Sequence, residues 1–381
     1  MSDDPHQEYF VDGMVEDIIT GLSRIKWLFV IARNSSFVYK GKAVDVRQVG
    51  RELGVRYVLE GGVRKAGNRV RITAQLIEAE TGAHLWADRF DGALEDVFAL
   101  QDQITDRVVG IVEPSLQRSE IERSRRKRPE NLDAYDLYLR AVPHMASFMP
   151  ADARIAAGFL EDALRLDPNY APAHGLLAYC HEVFFTRAGL NEADRSAGIA
   201  HARAVISSGA DDATALAHAA FAITILGKDH ETALGAVDRA LSLNASCATA
   251  LYIGALVYAF SGRPADATAS ANRALRLSPF DSLAAMAYNA LGAAGIQEGR
   301  YDEAASNYAK SVQSNPRFST LYFLHAASLA LAGRQREARP VAARLLELEP
   351  GFRSRAFFEL GLAQVIADRL AEGARLLGLP E

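Results

Sequence analysis

The chain has 381 residues, 42 Lys and Arg against 47 Asp and Glu, a formal net charge of −5, 49% hydrophobic residues and two cysteines. That length supports two or three domains, and the mild acidity argues against a nucleic-acid-binding surface. Cys180 and Cys247 sit on separate apolar stretches and set up no disulfide framework. The polar start Met1-Ser2-Asp3-Asp4-Pro5 lacks a signal-peptide pattern, and the longest apolar run, Ala248 to Phe260, is too short to span a bilayer. The expected setting is the reducing cytoplasm, with no membrane partner.

From the N-terminus, Met14, Ile18, Ile19 and Leu22 share one stripe of a predicted helix over Asp12 to Ile25. The continuous apolar run Trp27 to Ala32 predicts a buried parallel strand. Asp45 to Leu53 reads as a short helix closed by Gly54. The period then becomes two. Tyr57, Leu59 and Gly61 alternate with Val58 and Glu60, Gly67-Asn68 reads as a tight turn, and Val70, Ile72, Ala74 and Leu76 fall on one face. A second turn at Thr81-Gly82 leads to His84 to Asp88, and a helix from Leu94 to Arg126 follows, which Pro114 is expected to kink or break. Together these predict a small α/β domain with a mixed sheet over residues 1–125. The basic stretch Arg123, Arg125, Arg126, Lys127 and Arg128 reads as a solvated helix end running into a linker at 126–131. Arg56, Arg64, Lys65, Arg69 and Arg71 read as outward charges on the hairpin.

Beyond residue 131 the pattern changes to a recurring punctuation. Ala163 to Pro168 returns as Ala240 to Ala245, Ala274 to Pro279, Ser311 to Pro316 and Leu345 to Pro350, with closing residues at 245, 279, 316 and 350. The steps are 34, 37 and 34 residues, a period that predicts stacked helix–turn–helix repeats. Gly262, Gly299 and Gly333 each stand five residues before an alanine, Ala267, Ala304 and Ala338. The glycine ends one helix at a positive φ, the alanine lets two helices approach, and the proline stops the second helix. Gly227 breaks the grammar by standing six before Ala233, the 37-residue step implies three residues inserted after Pro279, and the repeat opening at Pro168 is about 41 long.

This grammar, with aromatics at Tyr288, Tyr301, Tyr308 and Tyr322, resembles the tetratricopeptide repeat. It implies about six repeats over 132–350 and capping helices over 351–381, from Phe352 to about Leu377. In the first domain, Glu8 to Ile19, Phe29 to Ser36, Arg56 to Gly61 and His84 to Arg89 resemble a TolB-amino-terminal-like domain, and Leu132 to Leu139 joins it to the repeats. That pair commonly forms the C-terminal part of proteobacterial, especially rhizobial, class III adenylate/guanylate cyclases, and it also follows winged-helix domains in some transcriptional regulators. The resemblance further implies an apolar strand and a Pro-Phe turn ahead of Met1. Either the chain continues in a longer gene product, or its sheet keeps an open edge suited to self-association. The overall class is thus mainly α: a small α/β domain followed by an α-solenoid.

No catalytic constellation emerges. His181-Glu182 and His230-Glu231 begin like a zinc-protease motif, but Phe185 and Leu234 stand where its second histidine belongs. Tyr39 to Ala43 echoes a phosphate loop without its first glycine or its closing Ser/Thr, and no paired aspartates sit in a cyclase-like context. The expectation is a non-enzymatic interaction or regulatory module with no cofactor and no metal. The concave positions of the repeats place Tyr179, Phe221, Tyr252, Phe260, Asn289, Gln297 and Phe323 along a groove. Aromatic and polar rather than basic, that groove is expected to take a protein or peptide with apolar anchors. The alternative is a sensor whose N-terminal domain binds a small molecule.

Overall fold

The computed structural model describes residues 5–42, 44–66, 69–93, 97–128, 132–278, 283–355 and 360–380. The expected turn at Gly67-Asn68, the insertion after Pro279, Pro129 and the first four residues lie outside this set. The chain forms two compact units, Met1–Arg123 and Ser124–Glu381.

In the first unit, α1 (Pro5–Ser23) is followed by the one-turn α2 (Arg33–Ser36), a 3-10 turn (Phe37–Tyr39) and α3 (Val46–Leu53). Asp45 caps α3 by accepting from the Arg47 amide, and Gly54 closes it at φ 65°, as the sequence predicts. Strands β1 (Tyr57–Ala66), β2 (Arg69–Glu78) and β3 (His84–Ala93) form an antiparallel sheet with β2 in the middle. Along β2 the residues alternate between exposed and buried, putting Val70, Ile72, Ala74 and Leu76 into the core. There they meet Met14, Ile18 and Leu22 of α1 and Ile104, Val108 and Val112 of α4 (Val97–Arg126).

One expectation fails here. Residues 27–32 form no strand, so the sheet is antiparallel rather than mixed. Trp27, Leu28 and Val30 lean on the core while Phe29 is 87% exposed. A parallel strand buried on both faces needs a layer on each side, and Phe29 has none. Of the kink or break expected at Pro114, the break is absent: α4 runs as one helix from Val97 to Arg126 with Pro114 inside it.

The second unit is a solenoid of six helix pairs: α5 (Ala134–Met145) with α6 (Pro150–Leu166), α7 (Ala171–Arg187) with α8 (Glu192–Ser207), and α9 (Ala213–Ala222) with α10 (His230–Leu243). The stack continues with α11 (Ala248–Phe260) and α12 (Pro264–Leu277), α13 (Ala284–Gln297) and α14 (Tyr301–Ser314), and α15 (Ser319–Leu331) and α16 (Gln335–Leu348). In α11 every residue but Thr249 is buried, whereas α12 buries one stripe, Ala267, Ser270, Ala271, Ala274 and Leu277. A helix apolar all round is sandwiched, and an amphipathic one faces water on one side. The longer repeat after Pro168 is visible as the length of α7 and α8, 17 and 16 residues against 13 or 14 in the last three pairs.

The repeat punctuation has a single structural meaning. Gly262, Gly299 and Gly333 have φ of 78°, 73° and 76°, and Ala267, Ala304 and Ala338 five residues later are fully buried. The irregular repeat obeys the same rule. Ala222 runs into a π turn, Ile223–Gly227, whose wider winding takes up one extra residue. The residue five before Ala233 is therefore Lys228, and it takes the left-handed conformation at φ 54° without being glycine.

After α16 comes the segment expected to cap the stack. Ser354 and Arg355 are helical, residues 360–363 are not, and α17 (Gln364–Leu377) packs on α13, α15 and α16, so among the described residues the stretch from Phe352 to Leu377 is not one continuous helix. Gly361 lies so close to the π turn that a β-carbon there would stand 1.7 Å from the Thr224 carbonyl oxygen. Only glycine permits that approach. Among the described residues no helix is long and apolar enough to cross a membrane.

Candidate binding cavity in the repeat unit

The first helices of pairs two to six, together with the segment after α16, line a half-open cavity of about 400 Å³. Four of the seven expected groove residues, Tyr179, Phe221, Phe260 and Asn289, line it. The other three do not. Tyr252 is fully buried and its hydroxyl donates to the Ser278 carbonyl at 2.6 Å. Phe323, equally buried, packs its ring on Phe352 with centroids 5.1 Å apart. Gln297 turns back to donate from Nε2 to the Ala259 carbonyl at 3.0 Å. Helices apolar on every side carry no polarity signal separating the cavity stripe from the stripe packed between pairs.

Aromatic rings form a chain along the wall. Tyr179 lies 5.9 Å from Phe148 and 5.4 Å from Phe221, and Phe221 reaches Phe260 at 6.4 Å, all centroid to centroid. Phe148, in the turn of the first pair, also stacks at 5.9 Å on Phe318, just before the last pair. Rings 170 positions apart thus close the cavity on one side. Phe148 holds φ at 54° and Leu190, also on the wall, at 57°. Side-chain-bearing residues rarely take this conformation, at roughly 1–3 kcal/mol each, and such strain concentrates where geometry serves a function.

Charge enters this apolar wall at two points. The Arg187 guanidinium lies over the Phe318 ring at 3.6 Å and over Phe148 at 5.9 Å. Its Nη1 is buried with no hydrogen-bond partner. Burial pulls the Arg187 pKa below its usual range, opposed by the fields of Glu182, Tyr179 and Glu349. Glu182 is 5% exposed, and burial pushes its carboxyl up to about 7, with Arg187 and Thr186 pulling the other way. Asn289 Oδ1 is a further buried atom without a partner. Behind the wall His218 stacks on Tyr179 at 5.5 Å, and burial holds its imidazole down to about 4.

The apparent zinc-protease fragments separate into unrelated roles. Glu182 faces the cavity, while His181 Nδ1 stands 3.1 Å from Asp194 Oδ1 and stacks on His201. His230 Nδ1 lies 3.0 Å from Ser261 Oγ. Among the described residues no group of three or more His, Cys, Asp or Glu could hold a metal ion. Both cysteines are buried and outside any disulfide, and burial raises the Cys180 thiol far above its reactive range. Much of the basic run is engaged: Arg123 bonds Glu120 at 2.6 Å, Arg56 lies 3.5 Å from the same carboxylate, Lys127 pairs with Asp136 at 2.5 Å and Arg71 with Asp91 at 2.6 Å. Sequence reasoning missed Arg187, Phe148 and Phe318. Their one signal was a charge ending the apolar stretch Val183 to Phe185.

Residues 285–318 match the tetratricopeptide repeat family. Over 178 residues the chain is 51% identical to a Rhizobium meliloti (strain 1021) protein described as "Putative adenylate cyclase 3". Similar solved structures include the MamA protein (20% identity, 49% of this chain and 98% of that one, TM-score 0.32). Another is the Cut9–Hcn1 hetero-tetramer of the APC/C (13% identity, 73% of this chain and 49% of that one, TM-score 0.46). The match to the rhizobial relative takes in 47% of this chain, which spans about 30% of that relative's length.

Proposed function

We propose that this chain is a regulatory, non-catalytic module that works by holding other macromolecules, within or beside a nucleotide cyclase. The observation that carries the reading is the unbroken stack of six helix pairs from Ala134 to Leu348. Stacked repeats of this kind offer an extended surface whose curvature suits protein or peptide partners. The identity to a protein described as an adenylate cyclase supplies the context. On this reading nucleotide chemistry belongs to parts of that relative which this chain does not span. The first unit then plays the TolB-like role that its motifs suggest. The outer edges of β1 and β3 are where a further strand, from a longer protein or a second copy, would add. Nucleic acid is a poor partner because the basic side chains Arg56, Arg71, Arg123 and Lys127 already meet carboxylates. Two buried cysteines that form no disulfide suit the cytoplasm.

The test measures cyclic nucleotide formed from ATP and from GTP by the purified chain, and by the remainder of the rhizobial relative with and without this chain fused to it. The chain alone should form none, and its presence should change the rate of the remainder. Turnover by the isolated chain, or an identical rate in both fusions, overturns the reading.

A further inference from the structure

We propose that the cavity inside the repeat unit binds a small apolar monocarboxylic acid whose carboxylate pairs with Arg187. The half-open cavity of about 400 Å³ is of small-molecule size. Part of the concave side is already occupied by the chain itself, since Phe352, Leu360 and Leu362 contribute to the wall. Most of the remaining lining is aromatic or aliphatic, so the body of the ligand must be apolar.

The charge of the ligand follows from what each buried group can do. Glu182 relieves its burial by taking up a proton, which its raised pKa makes easy near neutrality. Arg187 has no such escape, because a guanidinium stays charged in proteins. Its Nη1 remains a buried, unpartnered donor. The guanidinium lies over the rings of Phe318 and Phe148, contacts that leave its in-plane N–H groups for a planar acceptor. Exposed Arg353, whose Nη1 donates to the Phe352 carbonyl at 2.9 Å, adds a second guanidinium to the lining against one half-buried carboxylate, Glu349, which accepts from Ser319 Oγ at 2.6 Å. With Glu182 protonated, the lining carries an excess positive charge that an anion neutralises. A bound acid would also explain why Phe148 and Leu190 are held in strained conformations at the wall. The site would bind its acid whether or not a protein docks elsewhere on the repeats.

Calorimetric titration of the full chain with octanoate and 3-phenylpropionate tests the assignment, with octanamide and octylamine as matched controls. Both acids should bind and raise the melting temperature, octanamide should bind about tenfold or more weakly, and octylamine should not bind. Arg187→Gln should weaken octanoate at least tenfold, and Ile225→Trp, which fills the cavity, should abolish it. The acid-against-amide comparison needs no variant, so it decides even if Arg187→Gln fails to fold. No heat with either acid, equal affinity for octanamide, or equally tight binding of a leucine-terminated peptide overturns the proposal.

Discussion

Glu182 offers the sharpest test of how the repeat unit is held together. Replacing it with Gln keeps the shape and removes the titration. The folded-state pKa is raised to about 7 from the ordinary 4.5, so the folded chain binds this proton more tightly than the unfolded chain. Stability therefore falls as the pH rises from about 4.5 to about 7, and the loss is complete above that window. At 1.36 kcal/mol per unit, a shift of roughly 2.5 units amounts to about 3 kcal/mol. With Glu182 5% exposed, solvent screens little of it. Urea unfolding of both proteins, followed by circular dichroism at pH 5 and pH 8, isolates the effect, because any pH-independent cost of the amide cancels. Relative to the parent, Glu182→Gln should gain about 2.5 kcal/mol between pH 5 and pH 8, since the unfolded carboxyl is already largely ionised at pH 5. An unchanged difference, or one of opposite sign, would refute the assignment of a buried, proton-binding carboxyl.

Other consequences are equally direct. His218, held down to about 4 by burial, contributes stability that is full above about 6.5 and lost as the pH falls from there toward 4. His218→Phe should flatten that acid loss, worth about 3 kcal/mol, in the same unfolding assay. Lys228→Gly should raise stability by about 1 kcal/mol, because a left-handed backbone costs glycine nothing; a lower urea midpoint would count against it. Gly292→Ala should cost about 1–3 kcal/mol, since the new β-carbon would stand 2.6 Å from the buried Tyr308 ring. Tyr252→Ala and Phe323→Ala should each destabilise by about 3–5 kcal/mol, because both side chains are fully buried. A folded Tyr252→Ala with unchanged stability would return that residue to an open groove.

How much of this was legible in the residues depended on whether the signal was local. Gly54 closing α3, the alternation of Val70 to Leu76 and the Gly-to-Ala spacing of the repeats are all local, and each appears where the sequence predicts it. The irregular repeat was legible as an irregularity only. That the chain absorbs it with a π turn and a left-handed Lys228 depends on keeping Ala233 in the packed position. The strand predicted at 27–32 fails for a related reason: an apolar run specifies burial, while a strand also requires a neighbour to hydrogen-bond.

The sequence alone determined the helical pairing and its period, since caps, breakers and small contact residues act within a few positions of themselves. Only the tertiary structure decided that Phe148 meets Phe318, that the stretch after α16 lines the inner side, and that Arg187 ends beneath two rings with a donor unspent. Small rotations from pair to pair accumulate along the stack. Where its two ends meet is a property of all six pairs together.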